Sequence, residues 1–282
     1  MPVATLHDGD TIDIDVAGSG MAFLLPVNPR PVEGPAADEM RAWGADPALG
    51  QALVEGLRDR CRVAAFDYEG QLSRAPKPDT LTPQNVAADF QAVADAAGMD
   101  RFAYYGYSWL GLAGLQLALR SDRLTGLAVG GFPPLGGPYA DMLKVTKATR
   151  DLAANPPPAP VQPTEPGDWS AVSIALSEAQ TLQYVTLYSA LESFDDRAVL
   201  DAVRCPRLCF AGSADEIDYG EGWGDTHVSI GGALARHRRE LERAGWTVRL
   251  LDGLDHLQAM QAAIVLPLLG SWLETVRGAG DG

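Results

Sequence analysis

The stretch "YYGYSWLGLAG", Tyr104–Gly114, sets a hydroxyl between aromatics where an apolar strand gives way to a helix. A strand that turns sharply into a helix leaves the turn residue's side chain above the sheet, and the tight turn requires small neighbours. Gly106 and Ser108 fit the Gly-x-Ser-x-Gly pattern of an exposed serine nucleophile. Leu110 holds the second glycine position, with Gly111 one residue later. A leucine there needs room against a neighbouring element. The competing reading of a lone Gly-x-Ser is a serine that caps the following helix.

Outward from this turn the chain alternates strand and helix patterns. "TIDIDVAG" alternates apolar and polar residues from Ile12, as a half-buried strand does, while "MAFLLP" and "RVAAFDY" are continuous apolar runs suited to central strands. Ala48–Arg58 has helical spacing. "LTPQNVAADFQAVADAAG" opens on Thr82 as N-cap with Pro83 in the first turn and closes at Gly98. The strand "RFAYYGY", the helix after Ser108 and the strand "LTGLAVGGF" follow. The alternation resumes with "RLCFAG", "GGALARHRRELERAG", "WTVRLLDG" and a last helix from about Leu257. Such alternation predicts an α/β fold with a mostly parallel central sheet flanked by helices.

The pattern breaks after Phe132. Nine of the twenty prolines lie between Pro133 and Pro166, including "NPPPAPVQPTEP". Proline fixes its own φ and lacks an N–H, so this run is read as neither helix interior nor central strand. "WSAVSIALSEAQTLQYVTLYSALESF" is helix-compatible. The expected division is a core of residues 1–136 and 195–282, with residues 137–194 inserted as a cap, proline-rich at its start and then helical.

The 282 residues fit one large α/β domain, and 46% hydrophobic with 21% charged residues fits a globular chain with a substantial core. A net charge of −15 argues against nucleic acid or an anionic membrane surface as partner and leaves a small-molecule substrate as the expectation. A homodimer is compatible with this. No apolar run is long enough to span a bilayer, and "MPVATLHDGDTIDIDV" has neither a basic start nor an apolar signal core, so a cytoplasmic location is expected. Three cysteines, Cys61, Cys205 and Cys209, predict reduced thiols. Cys205 and Cys209 are read as core packing, ahead of a metal pair that would lack further ligands.

A serine nucleophile needs a base, and the base needs an orienting carboxylate. His7 has no motif around it, His227 sits in the glycine-rich "EGWGDTHVSIGG", and His237 lies on a basic helix. His256, in "LLDGLDHLQAM", follows a strand and precedes the last helix, where α/β proteins gather their chemistry. For the acid, "RLCFAGSADEID" puts Asp215 three residues past Gly212 on the loop leaving a strand. Glu216 and Asp218 are rivals there, and a merely solvated acidic loop is the competing reading.

With "GYSW", "GSAD" and "GLDH" in this order, nearly the whole chain resembles the α/β-hydrolase superfamily. The resemblance implies Ser108 as nucleophile, His256 as general base, Asp215 as its orienting acid, a cap after the sixth strand, and no metal or organic cofactor. It further implies an oxyanion hole built from the N–H of Trp109 and a donor after the first long buried strand. There the chain departs from the family: "FLL" runs into "PVNPRPVEGP", with Pro26 and Val27 in place of His-Gly and Asn28 at the donor position. The family's basic glycine turn is also altered, to "FDYEGQ" with Glu69. Trp109, Phe132, Tyr139, Tyr184, Tyr188 and Phe194 are candidates to line a substrate pocket, against the plainer reading of packing. The expected activity is hydrolysis of an ester, lactone or thioester. The altered loops keep open acyl transfer, cyclisation or C–C cleavage in secondary metabolism, and non-catalytic binding of a small molecule stands behind these.

Overall fold

Near-continuous apolar strands are stable only when covered on both faces, and the chain supplies the layers to cover them. The computed structural model describes residues 1–155 and 176–280. Its strands in chain order are β1 Val3–Thr5, β2 Thr11–Asp13, β3 Asp15–Ala17, β4 Met21–Leu25, β5 Cys61–Ala65 and β6 Phe102–Tyr107. Then come β7 Leu124–Gly130, β8 Arg207–Gly212, β9 Glu216–Asp218, β10 His227–Ser229 and β11 Trp246–Leu251. The helices are α1 Pro35–Ala42, α2 Leu49–Leu57, α3 Tyr68–Arg74, α4 Pro83–Ala96, α5 Trp109–Ala118 and α6 Tyr139–Ala154. They continue with α7 Glu178–Ser189, α8 Asp196–Val199, α9 Gly231–Arg243, α10 His256–Ala259 and α11 Ala262–Gly280.

The central sheet has seven strands in the order β11-β8-β7-β6-β4-β5-β3. Every pairing in it is parallel except β3 with β5. Side chains alternate between its faces, as strand geometry requires. Phe102 and Tyr104 face one apolar layer with Val86, Phe90 and Leu115. Ala103 and Tyr105 face the other, with Leu53, Leu57, Val265 and Leu269. Thr82 caps α4 by accepting the Asn85 N–H, and Gly98 follows it at φ +64°.

Strand order reverses between β4 and β6: β5 lies to one side of β4, and β6 returns to the other. Loops that leave the carboxyl ends of such neighbours diverge and open a crevice. Leu24 pairs with Tyr104, so Asn28 and Ser108 each stand four residues beyond that register, on the two loops at this point.

The region after β7 departs from the sequence expectation. Its start is not irregular, because α6 forms between the prolines and Pro138 stands at its N-cap position. α7 follows, opened by a capping box between Ser177 and Gln180. The intervening "PPPAPVQPTEP" and the first part of the helix-compatible run after it lie outside the described residues. α6 packs on α7. α7 in turn rests on the segment after β5, where Gln180 Nε2 donates to the Ser73 carbonyl at 2.7 Å and Gln183 to that of Leu72 at 3.3 Å. α6 reaches the β9–β10 hairpin, where the Trp223 indole donates to Thr149 at 3.0 Å. The last helical region also differs from the single helix expected: α10 is one short turn, and α11 follows it.

Candidate active site

Ser108 ends β6 and begins α5 with φ 55° and ψ −131°, a conformation that L-residues adopt only under constraint. The constraint comes from both sides of the turn. Its N–H donates to the Gly130 carbonyl at 2.8 Å, while its carbonyl accepts from Gly111 at 2.8 Å. A methyl group on Gly106 would stand 2.3 Å from the Leu110 carbonyl oxygen, so α5 reaches this close to β6 only because residue 106 has no side chain. That carbonyl also accepts the Tyr104 hydroxyl at 2.7 Å. The Leu110 departure is thereby explained. Its side chain is buried, and Gly111 is the residue that lies against Val129 and Gly130 of β7. Ser108 makes no side-chain capping bond to α5.

Asp215 follows β8 and is fully buried, and both its carboxylate oxygens lie within reach of His256 Nδ1, at 2.8 and 3.0 Å. Burial pushes the Asp215 carboxyl above the ordinary aspartate value, opposed by the hydrogen bond from His256. The rivals are engaged elsewhere. Asp218 meets His227 Nδ1 at 2.6 Å, and Glu216 meets His227 Nε2 at 3.0 Å and also accepts from Ser229 and the Gly232 N–H. His256 is the first residue of α10, whose N-cap Asp255 forms a capping box with Gln258. The Leu254 carbonyl accepts the Ala214 N–H at 3.0 Å, tying this loop to the one that carries Asp215.

Two contacts bring His256 to the serine turn. Tyr107, next to Ser108, donates its hydroxyl to the His256 carbonyl at 2.8 Å, and its ring centroid lies 5.0 Å from the imidazole. Gly131, next to the carbonyl that holds the Ser108 N–H, would place a methyl 3.0 Å from His256 Cε1. Tyr107 is a supporting residue that sequence reasoning passed over. Nothing in its strand pattern points to a loop 149 residues away.

On the facing loop Val27 donates its N–H to Leu25 at 2.9 Å. Asn28 Oδ1 accepts from the Arg30 N–H at 3.0 Å, so its amide side chain braces its own loop. Among the described residues the Asn28 and Trp109 N–H groups have no acceptor.

The aromatic candidates divide into groups. Trp109 meets Tyr184 edge-on at 5.5 Å and Tyr68 at 6.1 Å. Phe132, Tyr139 and Phe194 form a second chain of edge contacts at 5.6 and 5.4 Å. Phe132, Tyr139 and Tyr188 are buried in the core layer. The Trp109 indole also donates to Glu69 Oε1 at 2.7 Å, a partnership the sequence did not reveal. His7 lies apart from the serine turn: it meets buried Asp89 at 3.0 Å and Thr80 at 3.0 Å, and Tyr68 donates to the same Asp89. Cys61 and Cys209 are buried in the two core layers, and burial raises both thiols, Cys61 to about 11. No group of His, Cys, Asp and Glu suited to a metal occurs among the described residues, and no helix among them is long and apolar enough to cross a membrane.

No protein-family model matches the chain. It is 28% identical over 236 residues to "Putative carbamate hydrolase RutD" of Azorhizobium caulinodans, covering 77% of this chain and 82% of that one. It is 31% identical over 209 residues to the protein of the same name from Caulobacter sp. (strain K31), covering 65% and 76%. Among solved structures it is similar to the enol-lactonase of Burkholderia xenovorans LB400, at TM-score 0.61 and 19% identity over 97% of this chain and 100% of that one. It is also similar to a thermophilic esterase of Thermogutta terrifontis, at TM-score 0.58 and 19% identity over 98% and 97%. The likeness to these structures over nearly the whole chain shows the shared fold, and the Caulobacter relative shares the sequence over three quarters of its length: the chain belongs to the α/β-hydrolase superfamily.

Proposed function

We propose that the protein is a serine hydrolase that opens an ester, lactone, thioester or carbamate through Ser108, His256 and Asp215. One observation carries the reading: a buried carboxylate meets His256 Nδ1 through both oxygens, and that histidine packs beside a strained serine turn at the sheet's switch point. Asp215 holds the proton on Nδ1, which leaves Nε2 as the basic nitrogen. Nε2 takes the Ser108 proton as Oγ attacks the carbonyl carbon, and the electron pair moves to the carbonyl oxygen. The Trp109 and Asn28 N–H groups stabilise that oxyanion. Imidazolium then protonates the leaving group, water attacks the acyl- or carbamoyl-enzyme with His256 as base, and Ser108 is regenerated. Carbamates are included because the two named relatives carry that substrate in their name. The test pairs a fluorophosphonate probe with a chromogenic ester. Labelling of Ser108 together with turnover is the expected result. An intact, folded protein that neither labels nor turns over any of the four substrate classes overturns the proposal.

A further inference from the structure

The altered turn "FDYEGQ" places an acid beside the serine, and its surroundings say what that acid is for. Asp67 caps α3 by accepting the Gly70 N–H at 2.9 Å, which leaves Glu69 free of that duty. Glu69 Oε1 accepts the indole N–H of Trp109, the residue after Ser108, at 2.7 Å. Among the described residues Oε2 has no partner, and no basic side chain pairs with Glu69. The cations of the same stretch are engaged elsewhere: Arg74 meets Asp67 at 3.4 Å, and Lys77 meets Asp8 and Asp10.

Glu69 keeps exposed surface, yet desolvation raises its carboxyl above the ordinary glutamate value, with Asp67 adding to the rise and the Trp109 bond opposing it. The exposed carboxylate borders an aromatic surface: the Trp109 ring that it meets lies 5.5 Å from that of Tyr184 and 6.1 Å from that of Tyr68. Tyr184 is near enough that the Glu69 charge helps to raise its hydroxyl pKa. A carboxylate without a counter-ion at the edge of an aromatic pair is complementary to a cation with an apolar stem: the carboxylate supplies charge and the rings a surface for the stem. The net charge of −15 favours approach of the same class of ligand.

We propose that Glu69, with the rings of Trp109 and Tyr184, forms an ammonium-recognition subsite beside Ser108, so that the enzyme prefers acyl substrates that carry a protonated amine. This rests on the serine-hydrolase reading for its turnover test but not for its binding test. The binding test is calorimetric titration of intact protein with 4-phenylbutylammonium, with its alcohol isostere 4-phenylbutan-1-ol, and with 5-phenylpentanamide. Wild type should bind the ammonium at least about tenfold tighter than either neutral ligand, and Glu69→Gln should bring the three within about twofold. The turnover test compares kcat/KM for p-nitrophenyl 6-aminohexanoate and p-nitrophenyl heptanoate, with the same preference expected in wild type and its loss in Glu69→Gln.

Wild type alone can overturn the proposal, by binding alcohol or amide as well as ammonium. Glu69→Gln overturns it by keeping the ammonium preference. Should the Gln variant not fold, Glu69→Ala takes its place. Absence of both fluorophosphonate labelling and turnover would strike the hydrolase reading, and the titration would still decide the subsite. Labelled Ser108 without ammonium preference strikes the subsite alone.

Discussion

At the scale of single residues the proposed mechanism depends on a hydroxyl, an imidazole and a carboxylate whose removal should have unequal costs. Ser108→Ala deletes the nucleophile and leaves the turn, since no hydrogen bond holds the hydroxyl to α5. Activity on a chromogenic ester should fall on the order of 10⁶-fold, with the circular dichroism spectrum and Tm close to wild type. Retention of a tenth of the activity would remove Ser108 from the mechanism. Asp215→Asn keeps shape but presents an amide to Nδ1, which stabilises the wrong tautomer. A loss on the order of 10⁴-fold in kcat follows. Glu216→Gln should cost far less, because that carboxylate meets His227, Ser229 and the Gly232 N–H and not His256. Parallel kinetics on the two variants decide the matter, and an equal loss would mean that Asp215 does not orient the base. The placement of the three proposed residues, each just beyond a strand end, was legible in the sequence because apolar patterning marks where strands stop. Glu69 was visible only as a departure from the family turn. Its partner Trp109 lies 40 residues away, and no local pattern links them.

At the scale of elements the loop after β4 is the unusual part. Asn28 presents two separable groups: among the described residues its backbone N–H has no acceptor, and its Oδ1 holds the Arg30 N–H. Asn28→Ala removes only the second. The loop loses one hydrogen bond, worth about 1 kcal/mol, and kcat should fall by less than about tenfold. A loss of 10²–10³ would be that of an oxyanion donor and would assign the role to the side-chain amide. Steady-state kinetics with a neutral ester separate the two. The sheet elements were readable because a buried parallel strand leaves a compositional trace, as in Phe23–Leu25, all fully buried. α6 was not. Pro133, Pro134, Pro138 and Pro156 read as an interruption, whereas Pro138 opens the helix and the stretch between 139 and 155 contains no proline. The β9–β10 hairpin was also missed, since three-residue strands are too short to show an alternation. Its formation is what draws Glu216 and Asp218 to His227 and leaves Asp215 to His256.

At the scale of the whole molecule, charge and burial pull stability the same way with pH. The chain carries −15 and has a pI near 4.6, so self-repulsion grows as pH rises. Two carboxyls add to this, the buried Asp215 more than the exposed Glu69, because desolvation raises both in the folded state. For an acid whose folded pKa is raised, the folded protein holds its proton more tightly than the unfolded chain does. The corresponding stability is fully present below the unfolded value, about 4.3 for a glutamate, and is lost as pH rises through the folded value. Tm should therefore decline as pH rises above the unfolded carboxyl value. The two sources separate experimentally. Surface repulsion is screened by salt, with a Debye length of about 10 Å at 0.1 M, whereas buried Asp215 responds weakly. Glu69→Gln keeps an acceptor for the Trp109 indole and removes the ionisation. Its Tm should exceed wild type at pH 8 in high salt, and the difference should shrink towards pH 5. Scanning calorimetry at the two pH values checks this. A gain of equal size at both would assign the effect to packing, and no gain at pH 8 would mean that the carboxylate is hydrated like one at the surface. The expected gain has a functional counterpart: a carboxylate that destabilises the empty protein is one whose charge a bound cation can neutralise, so the ammonium ligand should raise the wild-type Tm at pH 8 and leave that of Glu69→Gln unchanged.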